Sequence, residues 1–106
     1  MRTVVETRMF SAKAAEVWTP EQYEDFVVYI ASTPDAGQVV PGSGGVRKIR
    51  WSRQSSGKRG GVRVVYFNNS DYEIWLFAMY EKNDREIIPA HELRKIRNAI
   101  NDRENE

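Results

Sequence analysis

The chain has 106 residues, 41% of them apolar and 29% charged, a net charge of +1 and no cysteine. That length predicts a single domain over residues 1–106 with one core, burying somewhat more than roughly 60% of the unfolded surface, and no stretch approaches the ~18 apolar residues of a membrane span. Without cysteine there are no disulfides, thiolate metal sites or thiol nucleophiles, and Met1-Arg2-Thr3-Val4-Val5-Glu6 lacks the apolar run of a secretory signal, so a cytoplasmic protein is expected.

Thr3-Val4-Val5-Glu6-Thr7-Arg8-Met9-Phe10 is β-rich but alternates imperfectly, and predicts a first strand at a sheet edge. Thr19-Pro20-Glu21-Gln22 then supplies a hydroxyl N-cap, a proline at the first helical position and a glutamine completing a capping box, so a helix starts at Pro20. Tyr23, Phe26, Val27 and Ile30 follow at i, i+3, i+4 and i+7, a stripe to bury against a sheet, while Glu21, Glu24 and Asp25 face water. Thr33-Pro34-Asp35-Ala36-Gly37 ends that helix.

The glycine-rich stretch Val39 to Gly45 leads into a strand, Val46 to Trp51, then a polar tip and a second strand, Gly61 to Phe67; together they predict a hairpin. Asn68-Asn69-Ser70-Asp71 is the next turn. The continuous apolar run from Tyr72 to Tyr80 predicts a central strand covered on both faces. After the polar Glu81 to Arg85, Pro89 opens a last helix with Leu93, Ile96 and Ile100 on one face, and residues 101–106 are expected to fray. The predicted architecture is α+β, β-α-β-β-β-α, an antiparallel meander sheet packed by helices.

Charge along this chain is sorted. Between Ala36 and Ser70 lie Arg47, Lys48, Arg50, Arg53, Lys58, Arg59 and Arg63 with no acidic residue, whereas the rest holds nine basic residues against fifteen acidic ones. A segregated charge of this size faces a polyanion, because cations that neutralise phosphates release condensed counterions; nucleic acid is the first partner implied. Strand alternation puts Lys48 and Arg50 on one face with Ile49 and Trp51 on the other, and sets Arg63 among Val62, Val64 and Val65, so that three cations can converge. An arginine in such a strand needs an anionic partner, either an acidic side chain of the protein or a phosphate. Arg53, Lys58 and Arg59, at the tip, suit backbone phosphates or simply water. Trp51, Phe67, Trp75 and Phe77 read as core rather than as platforms for stacked bases, while Tyr80 and Lys82 leave the sheet beside the basic face.

Other chemistries lack their residues. Pro41-Gly42-Ser43-Gly44-Gly45 leads into a strand without the Gly-Lys-Ser/Thr ending of a phosphate loop. His91 is the lone histidine and the carboxylates lie mainly on helix surfaces, so neither a metal site nor a Ser-His-Asp triad is expected, and no cofactor is implied.

The runs Gly44-Gly45-Val46-Arg47-Lys48-Ile49-Arg50, Gly57-Lys58-Arg59-Gly60-Gly61-Val62-Arg63-Val64-Val65-Tyr66 and Ala78-Met79-Tyr80-Glu81-Lys82-Asn83 together resemble the HigB branch of the RelE toxin family, over nearly the whole chain in element order. The resemblance implies a small RelE-like α+β fold and the toxin of a bacterial type II toxin–antitoxin pair, an endoribonuclease that cuts messenger RNA in the ribosomal A site. It implies catalytic roles for Lys48, Arg50, Arg63, Tyr80 and Lys82, and RNA or ribosome contacts for Arg47, Arg53, Lys58 and Arg59. The implied partners are the ribosome with its messenger RNA and a cognate antitoxin, often carrying a helix-turn-helix DNA-binding domain. The chain departs from RelE itself in having no tyrosine after Tyr80, which leaves Tyr80 and His91 as alternatives for that role.

Cutting RNA without a metal uses the 2′-hydroxyl as internal nucleophile, so a protein must remove its proton, stabilise added charge on the phosphate and protonate the leaving 5′-oxygen. Arg50 and Arg63 suit the second task, Lys48 the first, and Lys82 or Tyr80 the third. Two alternatives stand beside the nuclease: a ParE-like inhibitor of DNA gyrase, which fold alone does not separate from it but which has no need of the convergent cations Lys48, Arg50, Arg63 and Lys82, and a non-catalytic RNA- or ribosome-binding module with the basic hairpin as its whole function.

Overall fold

A computed structural model of the protein describes residues 2–51, 61–81 and 88–104. Strand β1 (Thr3–Glu6) and helix α1 (Arg8–Val17) together replace the longer first strand that the sequence predicts. Thr7 is the reason. Its backbone is extended and its hydroxyl accepts the Phe10 N–H, an N-cap, and Ser11 to Glu16 then supplies alanine, lysine and glutamate, strong helix formers. Phe10 and Ala14 are buried one turn apart and Val17 packs beneath them. Helix α2 (Pro20–Ser32) begins where the capping box places it. The Thr19 hydroxyl accepts the Gln22 N–H at 3.1 Å, and the Gln22 side chain accepts the Thr19 N–H at 3.0 Å.

The chain continues through β2 (Gln38–Val39), β3 (Arg47–Trp51), β4 (Val62–Asn68), β5 (Glu73–Glu81) and α3 (Ala90–Glu104). The observed order is β-α-α-β-β-β-β-α, against the predicted β-α-β-β-β-α. Strands lie in the order β1-β5-β4-β3-β2. The meander β3-β4-β5 is antiparallel as expected, but β1 runs parallel to β5, so the sheet is mixed. Helix α3 runs to Glu104, past the Asn101 at which fraying is expected, because Asp102-Arg103-Glu104 contains neither glycine nor proline to stop it.

Both faces of the sheet are covered. On one, α1 and α2 bury Phe10, Phe26 and Ile30 against Val64, Tyr66, Ile74 and Leu76. On the other, Leu93, Ile96 and Ile100 of α3 pack over Val46, Val65, Phe67, Phe77 and Ala78. Among the described residues no helix is long and apolar enough to cross a membrane.

Glu6 ties β1 to both of the first two helices, accepting a hydrogen bond from the Ser11 hydroxyl at 2.7 Å and another from Tyr23. The bond to Glu6, then burial and the carboxylate's charge, push the Tyr23 pKa from 10.0 up to about 12. The fold therefore favours the neutral phenol, and the tie is complete below pH 10 and lost as pH rises from there to about 12. In an ultraviolet tyrosinate titration, Tyr23→Phe is expected to delete a late-titrating phenol; loss of a phenol that titrates near 10 instead would refute the tie.

Candidate active site

Register across the meander creates the site. Arg50 of β3 lies opposite Arg63 of β4, and Arg63 lies opposite Tyr80 of β5, one row across three strands. Side chains directly opposite on one face of a sheet stand about 4.5–5.5 Å apart at Cβ. Two residues back along β3, Lys48 shares the face of Arg50, and its ammonium stands 5.8 Å from the centre of the Tyr80 ring. The four side chains that the sequence sets on three separate strands thus meet on the α3 side of the sheet, the side of Val65 and Ala78.

Each position has a local cause. Ile49 and Trp51 pack against the core beneath α1 and α2, and strand alternation sends Lys48 and Arg50 the other way. β2 pairs with β3 only at Gln38–Lys48 and Val39–Arg47, so β3 beyond Lys48 has no strand partner on that edge among the described residues. A groove of about 340 Å³ opens there, bounded by Gly37, Gln38, Lys48, Ile49, Arg50 and Arg63. Lys48 and Arg63 are half-buried and Arg50 is exposed.

Gly37 lets the groove's rim close on the sheet. A Cβ at this position would stand 2.9 Å from the Lys48 carbonyl oxygen and 3.0 Å from the Tyr66 ring and hydroxyl. The Tyr66 hydroxyl accepts the Gly37 N–H at 2.8 Å and donates to the Pro34 carbonyl at 2.9 Å, holding the segment that carries Gln38.

Arg47 is placed apart from Lys48, Arg50 and Arg63. Its guanidinium donates to the Gly37 carbonyl at 2.7 Å and the Asp35 carbonyl at 3.2 Å, and stands 3.6 Å from the Asp35 carboxylate. It lies opposite Tyr66, on the α1 and α2 side, where it ties the 35–37 turn to β3. Arg53, Lys58, Arg59 and Lys82 lie outside the described residues. His91, exposed in the first turn of α3, is 3.8 Å from the Glu92 carboxylate. Glu81, next to Tyr80, points to the opposite face, where it is 3.7 Å from Lys13.

Arg50 and Arg63 bring two guanidiniums to directly opposite positions of the sheet, and the planar guanidinium fork matches the oxygens of a phosphate. Such forks are chemically suited to a phosphate, and Lys48 and Tyr80 offer an ammonium and a phenol beside them. Among the described residues no three His, Cys, Asp or Glu side chains gather where they could share a metal ion. In the sequence the Thr7 cap is marked only by a threonine just ahead of an alanine-rich run, and Gln38, at the groove's rim in a strand of two residues, by nothing. No protein-family model matches this chain.

Proposed function

We propose that this protein is the toxin of a type II toxin–antitoxin pair, an endoribonuclease that cuts messenger RNA on the ribosome by metal-independent attack of the 2′-hydroxyl. The observation that carries the reading is the row Arg50–Arg63–Tyr80 with Lys48 beside it. The motifs that resemble the HigB branch of the RelE family support it from the sequence, because that resemblance assigns catalytic roles to the same four residues.

In this reading Arg50 and Arg63 hold the scissile phosphate and stabilise the charge it gains as the phosphorane forms. Lys48 takes the proton from the 2′-hydroxyl, whose oxygen attacks phosphorus; Tyr80 gives its proton to the departing 5′-oxygen, leaving a 2′,3′-cyclic phosphate. Lys82, outside the described residues, is the other candidate for that last step. The fold is read as RelE-like, with an antitoxin that covers or distorts the basic face and is expected to carry a helix-turn-helix DNA-binding domain, and with the cytoplasm as the place of action.

The test is induced expression in a bacterial host of the wild type beside Arg63→Ala, with mapping of messenger-RNA 5′ ends. The expected result is growth arrest with new ends inside translated regions, absent from the variant. Arrest with intact messages and altered DNA supercoiling would replace this reading with the gyrase inhibitor. No arrest would leave a binding module or an inactive toxin.

A further inference from the structure

The face on which Tyr80 stands is decided by one extra residue in β5, and we propose that Thr7 is the positioning residue that holds it there, presenting Tyr80 to Lys48, Arg50 and Arg63. The catalytic consequence rests on the functional reading above; the structural half does not.

Register shows the extra residue. Val65 lies opposite Ala78 and Tyr66 opposite Leu76, so Phe77 has no partner in β4. The side chains agree. Ile74 and Leu76 enter the core under α1 and α2, Phe77 and Ala78 both enter the core under α3, and Met79 then returns to the first core while Tyr80 packs on the second. Two neighbouring residues on one face is the signature of a β-bulge. Strict alternation from Ile74 and Leu76 would instead put residues 78 and 80 under α1 and α2, turning Tyr80 away from the cations and Met79 toward them. The bulge therefore decides which of the two meets Lys48.

Thr7 holds both carbonyls at the irregularity. Its N–H donates to the Leu76 carbonyl at 3.0 Å, and its hydroxyl donates to the Phe77 carbonyl at 2.6 Å. Successive carbonyls of a regular strand point to opposite edges, so one residue can hold two in succession only where the strand bulges. The same hydroxyl accepts the Phe10 N–H at 3.1 Å. Its single proton is thus committed to Phe77 and a lone pair to the start of α1. Glu6–Leu76 is the last pair between β1 and β5, so the end of β1, the cap of α1 and the bulge meet at one side chain.

Burial of the Phe77 ring, 3% exposed, could keep the bulge without help from Thr7, and the test separates the two causes. Thr7→Asp keeps the capping acceptor, since aspartate is among the best N-caps, but has no proton to give and sets a carboxylate against the Phe77 carbonyl. Thr7→Ser keeps both functions. Each variant is checked for a cooperative melt, then read by the NOE between the Tyr80 ring and the Lys48 side chain and by cleavage of messenger RNA on ribosomes.

Thr7→Asp is expected to lose the NOE and to cleave about 10²-fold more slowly, the scale on which a misplaced group costs rate, while Thr7→Ser keeps both. Cleavage by Thr7→Asp should equal that by Tyr80→Ala, and the double variant should fall no further. An NOE unchanged in Thr7→Asp, or a double variant with additive losses, would overturn the proposal. If Thr7→Asp does not fold, Thr7→Val, of the same shape and without the proton, is read by the same NOE, and its persistence overturns the proposal equally. A wild type that shows the NOE, loses it in Thr7→Asp and cuts no RNA would uphold the positioning role and refute the ribonuclease reading instead.

Discussion

Lys48→Ala is expected to slow messenger-RNA cleavage on ribosomes by about 10²- to 10⁴-fold, the range of a positioned general base, while leaving ribosome affinity nearly unchanged. The asymmetry follows from its place. Lys48 is one of seven cations in the window from Ala36 to Ser70, so removing its charge leaves six others to meet phosphate. Its ammonium beside the Tyr80 ring, by contrast, has no substitute among the described residues as the base next to Arg50 and Arg63, because guanidinium stays charged and the proposed reaction assigns the Tyr80 phenol to the leaving oxygen. Lys48→Arg sharpens the test, since it keeps the charge over the ring and gives up the base. Single-turnover cleavage of a defined message, paired with ribosome binding at two salt concentrations, separates the effects. Rate and affinity falling together in Lys48→Ala, or full activity in Lys48→Arg, would remove Lys48 from the base role.

How far the site can be read from sequence depends on what fixes each residue. Alternation in Val46 to Trp51 is enough to place Lys48 and Arg50 on one face, because Ile49 and Trp51 need the core. That Arg63 stands opposite Arg50 depends on the pairing register, which the run of residues does not state. The face of Tyr80 is harder still: Tyr72 to Tyr80 is apolar almost throughout, so a bulge at Phe77 breaks no visible pattern. The first helix was hidden by Met9-Phe10, which prolong a β-like reading, and by Ala14, too small to make the Phe10–Ala14–Val17 stripe stand out. β2 has two residues, fewer than any periodicity needs. Arg47 belongs by sequence with the other cations, and only the turn that brings Asp35 and Gly37 to it shows a second use for its charge. The α2 start was fully legible, because every part of a capping box is local.

Phe26→Ala is expected to cost about 3–5 kcal/mol, the usual loss for a buried phenylalanine, out of a total that for small domains is about 5–15 kcal/mol. The ring is fully buried and stands between two tryptophans, 5.3 Å from Trp18 and 5.2 Å from Trp51, centre to centre. Trp18 closes α1 and Trp51 closes β3, so one truncation loosens the join between helix and sheet at both ends. Tyr29 provides the contrast: it packs on Trp51 at 5.0 Å but is exposed, so Tyr29→Ala should lose little more than the ~0.5–1.5 kcal/mol of an aromatic pair. Urea unfolding followed by circular dichroism measures both, with an unchanged slope confirming that the native state is what changed. A Phe26→Ala loss within about 1 kcal/mol of that for Tyr29→Ala would mean that the two tryptophans close over the gap. Because Arg50, Arg63 and Tyr80 lie on the other face of the sheet, Phe26→Leu, which fills most of the space, should lower stability while the NOE between Tyr80 and Lys48 persists. The packing of Phe26 and the row Arg50–Arg63–Tyr80 thus lie on opposite faces of one sheet, and the first can be perturbed without the second.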